Sequence, residues 1–296
     1  MELRLLRYFL AVARENSFTR AAKYLHITQP TLSRQLMDLE EELGQKLLNR
    51  ETHYITLTPE GMLLRKRAEE ILAMVQKTEA EFNSIGENIA GDIYIGGGES
   101  EAMNLVADAI TELHEAYPDI RYHIYTGVAG DVMERLDNGL LDFGVLLQPV
   151  DIARYDSVAL PAKDKWGVLM RRDTPLARKA AVCPEDLWEL PLIISHQKGD
   201  DRQLSQWMGR EISELNVVAT YNLVFNASLL VDEGLGYALC FDKLIHTEGT
   251  GLCFRPFSPP LEAPGYIVWK KYQVFSKAAG RFLQSVQEMI SADHHL

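Results

Sequence analysis

The chain has 296 residues, 47% hydrophobic and 24% charged, ordinary values for a folded globular protein of about two domains with a sizeable core. Its formal net charge of −12 argues against nucleic-acid binding over the whole surface. No apolar run approaches the roughly 18 residues a membrane span needs, and Arg4 and Arg7 break up the N-terminal apolar residues where a signal peptide would lie.

Cys183, Cys240 and Cys253 are odd in number, widely spaced and not in a CxxC pair, so no disulfide framework or metal motif is expected. These features point to a cytoplasmic protein with buried structural thiols. A redox-sensing pair of cysteines is the alternative.

In chain order, Leu3, Leu6, Phe9, Leu10 and Ala13 share one face of a first helix ending near Glu15. Ser17 can cap a second helix, with Phe18, Ala21, Ala22 and Leu25 on one side and a turn at His26-Ile27. Thr28 can cap a third, with Pro30 in its first turn, a buried stripe at Leu32, Leu36, Leu39 and Leu43, and Gly44 as a C-terminal stop. Away from that stripe the helix opens with Gln29, Thr31, Ser33 and Arg34, short or fork-shaped polar groups suited to base edges and phosphates. The arrangement is a helix-turn-helix whose later helix would enter the major groove. From spacing alone, an ordinary helical hairpin with a solvated polar face fits as well.

Residues 1–60 carry eight Lys or Arg and eight Asp or Glu, so the acidic excess lies downstream. The acids at 38–42 fall at the far end of the third helix, away from its polar start. Lys46–Leu48 and Ile55–Leu57 read as two short strands around a polar turn. Such a hairpin is a wing, with Arg50 and His53 as its best-placed DNA contacts.

Six motifs in this region, in order, resemble the LysR-type transcriptional regulators: Phe9-Leu-Ala-Val-Ala13, Ser17-Phe-Thr-Arg-Ala-Ala22, Thr28-Gln-Pro-Thr-Leu-Ser-Arg34, Leu39-Glu-Glu-Glu-Leu-Gly44, Leu47-Leu-Asn-Arg50 and Leu57-Thr-Pro-Glu-Gly61. One departure is Leu48, a packing position where an aromatic residue is more usual. The resemblance implies that Gln29, Pro30, Thr31, Ser33 and Arg34 lie against double-stranded DNA, with Ser17 and Thr28 beside them. It implies an α/β protein overall: an N-terminal winged helix-turn-helix (1–58), a long linker helix (59–88) and a two-lobed, periplasmic-binding-protein-like (type II) effector domain (91–296).

Thr58-Pro59-Glu60 is a strong helix start. Leu64, Ile71, Val75, Thr78, Phe82 and Ile85 then follow a nearly heptad spacing to about Gly86, a helix of roughly 40 Å. A helix so long with one apolar seam packs on its own chain or pairs across a homodimer. The family resemblance favours the dimer and implies a homotetramer of two dimers on a pseudo-palindromic site, with RNA polymerase as a further partner.

Beyond Gly91-Asp92, apolar strand patterns alternate with helical ones, which points to βαβ units and parallel sheets. Strands are expected at 93–95, 121–125, 142–147, 165–170, 192–195, 217–221, 236–240 and 265–269. Helices are expected at 101–117, 131–138, 184–190, 202–210, 227–233 and from about 276. The family implies two crossovers, near 161–165 and 262–266, giving lobe one as 91–161 plus 266–296 and lobe two as 162–265.

Ligands of open α/β sheets bind beyond the carboxyl ends of the strands. That singles out Glu99, Ser100, Glu101, Thr126, Gly127, Val128, Gln148, Ser195, His196, Gln197, Phe225 and Asn226 for a small-molecule effector. Glu99 and Glu101 at a helix start would repel a carboxylate, so a neutral or amine-bearing effector is expected; solvent-facing caps are the alternative.

Gly96-Gly-Gly98 lacks the third glycine of a dinucleotide fingerprint. Ser195-His196 lacks a nucleophile elbow, and adjacent residues do not face each other. His294 and His295 read as a tail. No catalytic residue, cofactor or metal is expected. Besides a regulator, the pattern admits a solute-binding or transport-associated module with a helical appendage.

Overall fold

The computed structural model describes residues 1–50, 55–83, 89–196 and 200–293. It divides into two compact units, Met1–Asn83 and Ser84–Leu296.

The first unit begins with α1 (Leu3–Glu15), α2 (Phe18–Tyr24) and α3 (Gln29–Leu43). Helix α1 stops where Asn16 adopts the left-handed conformation (φ 47°), and Ser17 then caps α2 by accepting from Arg20 N at 3.3 Å. His26, also left-handed (φ 55°), turns the chain into Thr28, whose hydroxyl accepts from Thr31 N at 3.4 Å and caps α3. Phe9, Val12, Ala21, Leu32, Leu36 and Leu39 close the core between the three helices. Leu43 is not the fourth member of that stripe. It is 39% exposed, one residue before the left-handed Gly44 that ends α3.

The wing consists of β1 (Leu48–Arg50) and β2 (Ile55–Leu57), antiparallel with Leu48 opposite Leu57. The first strand therefore starts two residues later than the pattern at 46–48 suggests. Glu40 accounts for the late start: buried in α3, it accepts from Leu47 N at 2.9 Å and Leu48 N at 3.2 Å, holding the chain to the helix up to the first residue of the ladder.

Helix α4 (Pro59–Asn83) follows. Thr58 accepts from Gly61 N at 2.9 Å and donates to Lys46 O at 2.6 Å, tying the helix start to the wing. A Cβ at Gly61 would overlap the Leu47 carbonyl, so only glycine fits that approach. The expected seam is thinner than its spacing suggests. Ala68 is fully buried, Leu64, Ile71 and Val75 are half-buried, Phe82 is 70% exposed, and Thr78 donates back to Met74 O. Ile85, Gly86 and the wing tip with His53 lie outside the described residues.

In the second unit the strands are β3 (Gly91–Gly97), β4 (Ile120–Thr126), β5 (Phe143–Leu147), β6 (Tyr155–Arg171), β7 (Leu192–Ser195), β8 (Val217–Tyr221), β9 (Tyr237–Phe241), β10 (Leu252–Pro256) and β11 (Glu262–Lys270). The helices are α5 (Met103–Ala116), α6 (Ala129–Asp137), α7 (Asp200–Met208), α8 (Val224–Asp232) and α9 (Lys277–Asp293). The sheet order is β4-β3-β5-β11-β6-β9-β7-β8, with β10 on β6.

At one end β3 pairs in parallel with β4 and β5, over a core of Ile93, Val106, Phe143, Ile267 and Phe282. At the other, β7 pairs in parallel with β8 and β9, between cores around Leu192 and Leu204 on one face and Ile193 and Val231 on the other. These are two lobes, and β6 and β11 run through both.

Three sequence expectations give way here. The strand expected at 165–170 is the end of one 17-residue strand, Tyr155–Arg171, which β11 pairs on both sides of an irregularity: Lys163, Asp164 and Lys165 face Pro264, Ala263 and Glu262, and Ala159 faces Tyr266. The helix expected at 184–190 is only a short 3₁₀ turn, Pro184–Asp186. Strand β10, too short and isolated to read from its pattern, pairs antiparallel with β6 from Leu252 opposite Arg171.

Among the described residues, no helix is long and apolar enough to cross a membrane.

Candidate nucleic-acid interface and effector cleft

Helix α3 presents Gln29, Pro30, Thr31 and Arg34 to solvent, with Thr28 exposed at the cap. Thr28 Oγ1 and Thr31 Oγ1 share a hydrogen bond of 2.8 Å, so these two hydroxyls stand together at the mouth of the helix. Arg34 is exposed and forms no ion pair with a described residue. Ser33 and Ser17 are half-buried, set back from that surface.

The neighbouring cations are engaged. Arg20 donates to Glu15 O, and Arg14 lies 4.0 Å over the Tyr24 ring. The exposed polar start of α3 combines hydroxyl, amide and guanidinium donors with a helix N-terminus, a set that serves phosphate oxygens and base edges alike. Arg50 ends β1, next to the undescribed wing tip. Glu40 is the residue that spacing missed: it reads as one of a run of acids, yet it joins the exposed helix to the wing.

In the second unit, the Gly98–Ala102 loop after β3 sits at the crossing between the lobes. Ser100 Oγ donates to Asp164 Oδ2 at 2.7 Å, Glu101 N donates to Asp164 Oδ1 at 2.8 Å, and Ala102 N donates back to Ser100 Oγ at 2.9 Å. Asp164 is 1% exposed on the crossing stretch of β6. Burial pushes its carboxyl above the usual carboxylate range, against the pull of the Ser100 and Glu101 bonds.

Glu99 and Glu101 do not cap α5 as the sequence suggests, nor are they idle solvent caps. The Glu99 carboxylate accepts from Val224 N at the start of α8, and Glu101 takes the Lys243 ammonium. Glu101 in turn raises the Lys243 pKa. These cross-lobe partners outcompete the local helix end.

The next loop, Thr126-Gly127-Val128, lies beside the first, with Gly127 N donating to Gly97 O at 3.0 Å. Two of the three glycines have a packing cause. A Cβ at Gly96 would overlap the Leu141 side chain, and one at Gly97 would come within 2.9 Å of Met103 Sδ. Gln148 follows β5 with its N–H on Pro264 O at 2.9 Å, next to the crossing.

Of the remaining candidates, Phe225 and Asn226 follow Val224, whose N–H bonds Glu99, while Ser195 and His196 lie at the end of β7. Ser195 is buried at the end of β7. The His196 backbone N–H and ring Nδ1 both contact Tyr221 O, at 3.0 and 2.8 Å, so the ring is positioned by the neighbouring strand and not by Ser195. Both line a cavity of about 430 Å³ bounded by Ile194, Ile212, Leu215 and Val217, all lobe-two residues. Phe225 is 62% exposed and Asn226 is exposed, on the face of α8 turned away from the sheet, because Val224, Ala227, Ser228 and Val231 fill the buried face. Gln197 lies outside the described residues.

Asp164 and Lys243 are not legible in the sequence, since each gains its role only through a partner 63 or more residues away.

The cysteines do not form a redox pair. Cys240 faces Gly167 across β6–β9 and Cys253 faces Met170 across β6–β10, on opposite faces of the sheet. Burial, then Asp242 and Glu99, push the Cys240 thiol up to about 12, far from a reactive thiolate. Cys183 is exposed elsewhere, on the 3₁₀ turn.

Two family models match the chain: "Bacterial regulatory helix-turn-helix protein, lysR family" over residues 3–62, and "LysR substrate binding domain" over residues 86–291. The chain is similar to the Hca operon transcriptional activator HcaR of Escherichia coli, 27% identical over 296 residues and 99% of each protein. It is similar to the structure of a full-length OxyR variant from Pseudomonas aeruginosa, at 26% identity and TM-score 0.56, covering 97% of this chain and 99% of that one. Its fold matches that of full-length CbnR in complex with its target DNA, with TM-score 0.76 at 18% identity, over 97% of this chain and 99% of CbnR.

Proposed function

The chain belongs to the LysR family of bacterial regulatory helix-turn-helix proteins, and from that premise we propose which residues read DNA and which meet the effector. It is a DNA-binding transcriptional regulator with an effector-binding domain. Residues 1–58 bind DNA, 59–88 pair two copies, and 91–296 sense a small molecule. Gln29, Pro30, Thr31 and Arg34 meet the major groove, Thr28, Ser33 and Ser17 support the phosphate contacts, and the wing adds Arg50 and His53. The observation that carries this reading is the exposed, hydroxyl-capped start of α3, with Arg34 free to reach out.

Two copies joined through α4 place two such helices on one pseudo-palindromic site, and pairs of dimers alter its bend and the access of RNA polymerase. The protein works in the cytoplasm. Its relatives are transcriptional regulators and not transporters, which sets aside the solute-binding alternative.

The effector enters the cleft beside Glu99, Ser100, Glu101, Thr126, Gly127, Val128 and Gln148. Glu99, Glu101 and Asp164 gather their carboxyl groups on or beside this loop, with Lys243 paired to Glu101 alone, which supports an effector that is neutral or carries an amine.

The test is duplex binding by the full chain over a salt series. A promoter fragment should bind with a steep negative salt slope. Arg34→Ala should weaken it by about 1–3 kcal/mol if Arg34 reads a base, or flatten the slope by about one if it meets a phosphate. Binding unchanged by Arg34→Ala would remove α3 from the interface. For the effector, a thermal-shift screen of the full chain with amines, neutral metabolites and carboxylates should show stabilisation of about 2.7 kcal/mol at roughly 100 times the dissociation constant.

A further inference from the structure

We propose that the Gly98–Ala102 loop is a latch between the two lobes, in which Glu99 acts as an internal ligand of helix α8. The inference rests on the reading of this cleft as the effector site and adds what holds it before an effector arrives.

Three ties leave this one short loop. Glu99 reaches Val224 N, 125 residues on; Glu101 reaches Lys243, 142 residues on; Ser100 and the Glu101 amide hold Asp164 at the crossing. The first two grip the start of α8 and the turn after β9, both in lobe two. The third fixes the loop where β6 and β11 pass between lobes. A loop that only closed β3 onto α5 would need none of these partners.

The receiving side is prepared for it. Leu223, at the N-cap of α8, offers no side-chain cap, so the first N–H groups of the helix depend on an outside acceptor, and the Glu99 carboxylate supplies one. Lys243 is held left-handed at φ 62°, a conformation unfavourable for a residue with a Cβ, and its N–H is bonded to Asp242 Oδ1 at 2.8 Å. Its ammonium meets Glu101. Among the described residues, the start of α8 and the Lys243 ammonium are thus covered by the chain's own carboxylates. An exogenous carboxylate is a competitor of Glu99 at α8, and a ligand shifts the lobes only by its preference for one arrangement over the other.

The test uses the full chain and acetate as the probe. Hydrogen–deuterium exchange is followed at the start of α8 in the wild type, Glu99→Ala and Glu99→Gln. Lobe separation is followed by spin labels at Glu112→Cys and Gln206→Cys, both exposed, in a Cys183→Ser background diluted with unlabelled protein. Glu99→Ala should speed exchange at Val224 by about tenfold or more, as expected for a lost charge-assisted hydrogen bond, and should broaden the label distance. Acetate, but not chloride, should reverse both in Glu99→Ala and change neither in the wild type. Glu99→Gln, which keeps an acceptor, should retain most of the protection.

Unchanged exchange and distance in a folded Glu99→Ala protein would overturn the latch. So would faster exchange that acetate fails to reverse, or an equal loss of protection in Glu99→Gln. The two readings fail separately: a metabolite that stabilises the full chain while Glu99→Ala changes nothing leaves the effector site standing without the latch. Acetate rescue with no stabilising metabolite leaves the latch without the effector.

Discussion

Helix α3 and the Gly98–Ala102 loop are both polar stretches with functional side chains, but their partners lie at very different distances along the chain. Thr28 caps α3 through a residue three positions on, and the turn before it needs only His26 and Ile27. The Gly98–Ala102 loop finds its partners 63 to 142 residues away. A local motif can be moved or mutated piecewise, whereas a loop defined by distant partners works only once the whole second unit has folded.

The largest expected effect tests the independence of the local motif. Leu36→Ala removes a fully buried side chain between three helices and should cost about 2–5 kcal/mol. Calorimetry of the full chain should show the transition of the first unit lowered and that of the second unmoved; a shift of both would break the contrast. Next is Glu40→Ala, which leaves the buried Leu47 and Leu48 amides without their acceptor and should cost about 1–3 kcal/mol. Glu40→Gln, which keeps one acceptor, should recover part of this in urea denaturation, because Glu40 is the point where the motif depends on something beyond a helical turn.

Asp164 gives a smaller effect with a definite sign. Its folded pKa is raised, so the folded state holds the proton more tightly than the unfolded chain. Stability relative to Asp164→Asn should therefore be greatest at low pH. It should fall as pH climbs from the ordinary aspartate value of 3.8 to the raised folded value, and stay level above it. A difference that rises with pH over that window would mean the Ser100 and Glu101 bonds outweigh burial. Smallest of all is Phe225→Ser, on the exposed face of α8, expected to change stability by no more than about 0.5 kcal/mol. A loss well beyond that would show the outer face of α8 to be covered.

What is legible in the sequence follows the same division. The helix-turn-helix, its caps and the strands at 192–195 and 217–221 can be read because short-range periodicity and capping chemistry specify them. The full length of β6 cannot, because Pro161-Ala162-Lys163 reads as a break, and only β11, which pairs with β6 on both sides of an irregularity there, shows it to be one strand. Glu99 and Glu101 stand out by charge, but their partners do not: an acid beside a helix start predicts a local cap, and only the fold brings α8 and Lys243 closer. Phe225 is expected at the site from its place after a strand, but its exposure is not legible there: the burial of Val224 and Ala227 puts it on the open face of α8.

Strand β6 also bears on how this protein can change in length. One 17-residue strand serves three neighbours, with β11 on its first part and β9 and β10 on its last. Side chains alternate faces along a strand, so one residue inserted between Lys163 and Trp166, past the irregularity in the β6–β11 pairing, would turn everything after it to the opposite face. Trp166, Val168 and Met170 would leave one core and Leu169 the other, while Gly167, which has no room for a Cβ beside Arg255 O, would give its place to a larger residue. Loops around the lobes can lengthen or shorten without that penalty. Natural variation in length should therefore gather in the loops, and the span between the lobes should keep its residue count.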